Sequence, residues 1–241
     1  MNVLKNKKLL IALSVVFAVA EIVFTVLVQK VSGDTNRYVS YGSVVLACLF
    51  CAIFAEKTWI YIFTQVALIM TLFADYFLVV LTEIQQFPAM VFFSVAQIAY
   101  FARLYVSTDK EKPRRLHIIV RAVAIILAVV ITLIVLGKRV DAVSVVSMFY
   151  FANLLVNVIF AFAQFNKNYL FAIGLLLFAC CDILVGFSCI EAYIELTPGT
   201  FAHKLAHPGC NLAWMFYVPS QTLIVLSLLP RRLKNSRDIE I

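Results

Sequence analysis

Charge is scarce in this chain. Asp, Glu, Lys and Arg together make up 14% of its 241 residues, against 63% hydrophobic ones, and the mean hydropathy is +0.98. A water-soluble domain of this length has no interior large enough to hide so much apolar surface, so that class is excluded and a polytopic membrane protein is left. Short segments of alternating polarity are also missing. The apolar stretches run continuously for about 18–23 residues, which excludes a β-barrel and favours helices. Histidine occurs three times, and His117 falls on the cytoplasmic side of the topology below, so a histidine-rich intramembrane zinc site is excluded. The chain has no GxSxG, no Walker loop and no dinucleotide fingerprint. No small-residue cleavage site follows the first apolar run, which is therefore expected to stay as a helix. Five of the six cysteines (Cys48, Cys51, Cys180, Cys181, Cys189, Cys210) lie within or at the ends of apolar runs. A disulfide framework is not expected from them, and Cys48 and Cys51 read as small packing residues despite their CxxC spacing.

What is present is a series of eight apolar segments, at about 9–29, 38–55, 59–81, 89–106, 118–136, 143–165, 169–190 and 213–229. With the N-terminus cytoplasmic, fifteen Lys and Arg fall on the cytoplasmic side, Arg103 and Arg121 among them, and five on the other. The net charge of +7 is thus topogenic and calls for no nucleic-acid partner. The expected fold is an all-α integral membrane bundle of eight transmembrane helices in a single domain over residues 1–241, with both termini cytoplasmic. The longest connection, residues 191–212, lies on the opposite side. Within it His203 and His207 stand at i, i+4 with Cys210 close by. That spacing suits a metal, although a solvated lid or surface helix is the simpler reading, and no metal is assigned.

Into these apolar runs the sequence places polar side chains at similar depth. Counting from the outer helix ends at roughly 1.5 Å per residue puts Glu21, Asp75, Gln97, Asp182 and Gln221 about 9–12 Å below the outer surface. Thr64, Thr71, Asp75 and Thr82 share a face of the third helix, and Tyr150, Asn153, Asn157 and Gln164 share one of the sixth. A mid-helix Asp facing lipid is unfavourable by about 2.5–3.5 kcal/mol, so these stripes are expected to face one another around a polar cavity open to the outer leaflet. Thr, Ser and Asn stripes also serve simply to hold helices together. LFAD in the third helix and LFACCD in the seventh are each followed by a helix with Gln and Tyr about one turn apart, Gln97 with Tyr100 and Tyr217 with Gln221, as in two parallel halves.

Three blocks, LFADYFLVV, VFFSVAQIAYFARL and LLLFACCDILVGF followed by FYVPSQTLIVLSL, resemble the YhhN family of eight-span membrane proteins, the lysoplasmalogenases. The likeness covers about residues 37 to 229. Ala74, Cys181 and Val218 replace a Gly, a Ser and a Tyr usual in that family, and Gln97 stands where His is common. The resemblance implies hydrolysis of the vinyl ether of a lysoplasmalogen to a fatty aldehyde and a glycerophospho-base, with Asp75 and Asp182 catalytic. Protonating a vinyl ether at its β-carbon gives an oxocarbenium ion that water traps. One carboxylic acid and one carboxylate suffice, and two carboxyls in one low-dielectric cavity hold a proton between them. Gln97, Tyr100, Tyr217, Gln221, Glu21, Asn153 and Asn157 are the expected supporting residues. The partner is a single-chain ether phospholipid drawn from the membrane, and no cofactor is required. The host membrane is a bacterial cytoplasmic membrane or a eukaryotic endomembrane. A transporter, or a non-catalytic lipid-binding or sensor protein, would use the same buried carboxylates.

Overall fold

The computed structural model describes residues 7–108 and 111–229. Among these there is no strand. The helices are α1 (Lys7–Lys30), α2 (Gly33–Phe54), α3 (Trp59–Asp75), α4 (Gln86–Val106), α5 (Glu111–Leu136), α6 (Ala142–Ala163), α7 (Tyr169–Ile190), α8 (Phe201–Ala206) and α9 (Leu212–Leu226). Seven are long and apolar enough to cross a membrane, so the chain is an all-helical, multi-pass membrane protein. The eighth apolar segment forms α9 with 15 residues, roughly 22 Å of helix against a hydrocarbon core of about 30 Å. The chain ends expected on the cytoplasmic side, residues 1–6 and 230–241, lie outside the described residues, as does Lys110.

Local chemistry fixes several boundaries. Helix α2 starts earlier than its apolar run because DTNR forms its first turn. Asp34 there suits the positive end of the helix dipole, and Asn36 Nδ2 donates to the carbonyls of Val28 and Val31 at 2.7 and 3.1 Å, satisfying the last turn of α1. Helix α5 likewise begins at Glu111, since Pro113 sits in its first turn, where a missing N–H costs nothing. Asp141 caps α6 with a reciprocal capping box to Ser144.

Contacts at the two ends set the alternation of the helices. At one end, Gln29 at the close of α1 exchanges two hydrogen bonds with the backbone of Asn211, just before α9. Tyr193 Oη, in the connection after α7, donates to both carboxylate oxygens of Asp141 before α6, each at 3.0 Å. At the other end Arg103, near the close of α4, donates to Thr64 in α3 at 3.0 Å and to Ser227 after α9 at 2.7 Å. Asn168, before α7, donates to the Ser227 carbonyl. Helix α9 therefore runs from one end of the bundle to the other despite its length.

Helices α7 and α9 pack closely because residue 174 is glycine. A Cβ there would lie 2.9 Å from Ile224 Cγ1 and 3.1 Å from the Ser220 carbonyl oxygen. Helix α5 packs mainly on α6, with Phe101 of α4 meeting its His117 and Arg121, and much of its surface is apolar and exposed. That is the signature of a helix facing lipid.

Two expectations are corrected. The third span reaches Val80 as expected, but helix α3 does not keep regular α-helical geometry to its end. It gives way after Asp75 to a π-helical turn, Tyr76–Val80, which shifts the register, so Thr82 is exposed and does not extend the Thr64–Thr71–Asp75 stripe. Arg103 and Arg121 are not solvated loop charges but lie within α4 and α5. They are 1% and 8% exposed, each folded inward to polar side chains. His117, four residues before Arg121, is likewise buried, between Phe101 and Phe160. The apolar runs at 89–106 and 118–136 end near these residues, and hydropathy alone reads their charge as the start of a loop.

Candidate functional site

Asp75 ends the regular part of α3 and is 3% exposed. Its Oδ2 accepts a hydrogen bond from Tyr217 Oη of α9 at 2.5 Å. Asp182, partly buried on α7, accepts one from Tyr150 Oη of α6. The two carboxyl–phenol pairs are joined by an aromatic wall. Phe178 packs edge-on against Tyr217 with centroids 5.4 Å apart, Phe93 lies 5.4 Å from Tyr150, and Phe93 and Phe178 meet at 6.1 Å. Five helices thus converge on one spot: α3 and α7 bring the acids, α9 and α6 the phenols, and α4 brings Phe93.

The periodicity of each helix explains the convergence. On α7, Leu175, Phe178 and Asp182 recur at three and four residues, so Asp182 continues the inward face of that helix. On α3, Thr64, Thr71 and Asp75 are all buried on the inward face. Thr71 Oγ1, one turn before Asp75, is buried with no hydrogen-bond partner.

A second polar layer lies deeper. Arg121 of α5 donates to Asn153, and to Asn157 Oδ1 at 2.5 Å, while Asn157 Nδ2 donates to both the carbonyl and the side-chain oxygen of Gln97 at 2.9 Å. Its guanidinium lies 4.3 Å from the centroid of the Phe101 ring and 3.2 Å from His117 Nε2. Asn157 is seven residues beyond Tyr150 on α6, or about 10 Å further in. Gln97 therefore belongs with Asn157 rather than with the carboxyls, where counting along the helices placed Glu21, Asp75, Gln97, Asp182 and Gln221 at one depth.

The supporting residues divide accordingly. Tyr217 binds an aspartate directly. Gln97, Asn153 and Asn157 belong to the Arg121 layer. Gln221, one turn below Tyr217, donates only to Ser220, and its Oε1 has no partner. Tyr100 is fully buried, packs edge-on against Phe171, and has no partner for its Oη. Glu21 is buried on the inward face of α1 beside the Phe17–Phe50 stack, and no hydrogen bond ties it to either aspartate. Tyr150 was legible only as one member of a stripe. Arg121 was missed, because a basic residue at the edge of an apolar run carries the signal of a topogenic charge.

In the extramembrane connection, His203 and His207 lie on and just after α8, with Glu191 at the end of α7. The connection is ordered by its own contacts. Besides the Asp141 and Asn211 contacts, Ser188 Oγ donates to the Ala206 carbonyl at 3.0 Å, and Arg139 donates to the Tyr193 carbonyl.

The arrangement offers two carboxyls of different helices in an aromatic surround. Each has one oxygen engaged by a phenol, which leaves the other to act on a bound molecule. No curated protein and no solved structure matches the chain. A family model described as the YhhN family matches residues 37–228, most of the sequence and every helix that carries the two acids and two phenols. The chain belongs to the YhhN family.

Proposed function

We propose that this protein is a membrane-embedded hydrolase that cleaves the vinyl ether bond of lysoplasmalogens, with Asp75 and Asp182 as its acid–base pair. The observation that carries this reading is the matched geometry of the two acids, each held by one tyrosine hydroxyl beside a common aromatic wall. Phenol donation to Oδ2 fixes the plane of each carboxyl and leaves Oδ1 to face the reacting group.

The reaction needs little else. A protonated carboxyl delivers its proton to the β-carbon of the R–CH=CH–O– unit, and the electron pair of the double bond forms the new C–H bond. The positive charge is shared between the α-carbon and the ether oxygen, where the second carboxylate stabilises it. Water adds to the α-carbon and passes a proton to that carboxylate. The hemiacetal then gives its hydroxyl proton to the first carboxylate and breaks its bond to the glycerol oxygen, which takes up the proton held by the second carboxyl. The products are a fatty aldehyde and the glycerophospho-base, with one water consumed and no electrons gained or lost. Phe93 and Phe178 exclude bulk water and present π-faces that tolerate the passing cation.

Eight crossings with both termini cytoplasmic complete the proposal. They place the acids toward the outer side, from which a single-chain lipid enters with its tail between helices. The test is to incubate the purified protein with a lysoplasmalogen in detergent and to measure aldehyde release. Detergent abolishes any transport readout, so a carrier gives no signal. Absence of aldehyde formation by well-folded protein would refute the hydrolase.

A further inference from the structure

We propose that Glu191, His203 and His207 form a surface site for a divalent transition-metal cation of the zinc class, fastening the 191–212 connection to the end of α7. One ligand atom from each residue lies within 4.8 Å of the other two. Glu191 Oε2 and His207 Nε2 are already 3.3 Å apart. Ligand atoms about 2.0–2.1 Å from a tetrahedral Zn²⁺ are separated by roughly that same distance. The two imidazoles stand one helical turn apart with ring centroids 4.7 Å from each other, so a side-chain rotation brings His203 into the same sphere.

The surroundings of His207 also suit a metal-binding tautomer. His207 Nδ1 lies 3.3 Å from the His203 carbonyl oxygen. Donation there places the proton on Nδ1 and leaves Nε2 with its lone pair toward Glu191. Metal-binding histidines are commonly oriented this way, the second nitrogen donating to a backbone carbonyl.

The backbone beneath is fixed without the metal. Thr200 caps α8 by accepting from the His203 N–H at 3.3 Å, Ala206 is buried, and its carbonyl is tied to Ser188 of α7. Glu191 follows α7 directly. The ligands thus come from two pieces already held together, so little ordering entropy opposes binding. Two imidazoles with one carboxylate favour zinc, cobalt or nickel over magnesium or calcium. Three protein ligands leave the fourth position to water, in keeping with the half-buried to exposed setting of the residues. The site is independent of the hydrolase reading, since it lies outside the apolar spans and uses neither aspartate.

The experiment uses the full chain purified in detergent without a polyhistidine tag, stripped with a chelator and titrated with Co²⁺ alone. Four-coordinate Co²⁺ gives an intense visible ligand-field band. The expected result is a band saturating at one Co²⁺ per chain and bleached by Zn²⁺. Glu191→Gln, His203→Asn and His207→Asn should each weaken binding by at least about tenfold. A Cys189→Ser/Cys210→Ser double variant should leave it unchanged. Equilibrium dialysis with Zn²⁺ reports binding whatever the coordination number. No bound Zn²⁺ in dialysis, binding that persists in a His203→Asn/His207→Asn double variant, or binding lost with the cysteines overturns the proposal. Retained helical circular dichroism in each variant shows that the loss is local.

Discussion

Tyr217 and Asp75, 142 positions apart in sequence, share a 2.5 Å hydrogen bond that ties α9 to α3. Its counterpart joins Tyr150 to Asp182. Each acid therefore has its geometry set by a helix other than its own, the last of the bundle for Asp75 and the one just before its own for Asp182.

Asp75→Asn and Asp182→Asn keep side-chain size but remove the acid and the charge. Each is expected to lower aldehyde release by at least about 100-fold. Both variants should still fold, because a neutral amide is no harder to bury than a carboxylate. Wild-type rates in either well-folded variant would sink the acid–base mechanism.

Tyr217→Phe and Tyr150→Phe remove only the donor. Each leaves a carboxyl oxygen short of a partner, a penalty of about 1–3 kcal/mol. Activity is expected to fall by about tenfold or more, yet by less than in the Asp variants. A rate profile across pH measures the effect: its acidic and basic limbs should move in the phenylalanine variants, which a purely structural change would not cause.

Gly174→Ala puts a methyl 2.9 Å from Ile224 Cγ1 and 3.1 Å from the Ser220 carbonyl. Helices α7 and α9, which carry Asp182 and Tyr217, must then separate. Overpacking of this kind costs about 1–3 kcal/mol. Thermal unfolding in detergent should show a lower midpoint, whereas Gly186→Ala, where nothing lies within 4 Å, should not.

Arg121→Lys keeps a positive charge but loses the planar fork that reaches Asn153 and Asn157 together. A loss of about 1–3 kcal/mol in stability is expected, close to that of Arg121→Met. A lysine variant as stable as the parent would show that charge alone matters at this position.

The Asp141–Tyr193 contact predicts loosening of the connection at both pH extremes. The Ser144 N–H, and with it the Ser144 and Tyr193 hydroxyls, holds the Asp141 carboxyl below its ordinary range. A depressed native value stabilises the fold above the unfolded value of about 3.9 and loses that contribution as pH falls through the native one. Desolvation, followed by the hydrogen bond to Asp141, pushes the Tyr193 phenol up to about 12. That contribution is complete below about 10 and is lost as pH rises through the native value. Limited proteolysis within 191–200 should accelerate at the acid limit, and phenolate absorbance should show Tyr193 titrating late.

The apolar runs by themselves determined the helical class, and their boundaries agree with the structure to within about three residues except at the starts of α2 and α5, because lipid demands long uninterrupted apolar stretches. The sequence also singled out Asp75 and Asp182, since an acid in such a stretch is costly unless it faces inward. It could not say which residue meets which. Chain order puts Gln97 and Tyr100 on the helix after Asp75, whereas the bundle joins Asp75 to Tyr217 of the last. The inward turn of Arg121 and the π-helical turn after Asp75 were likewise invisible. Both depend on how neighbouring helices cross: a charge at the edge of an apolar run points to water or to the interior according to the amides that face it. Periodicity reports which face of a helix is polar, and only tertiary packing decides what that face meets.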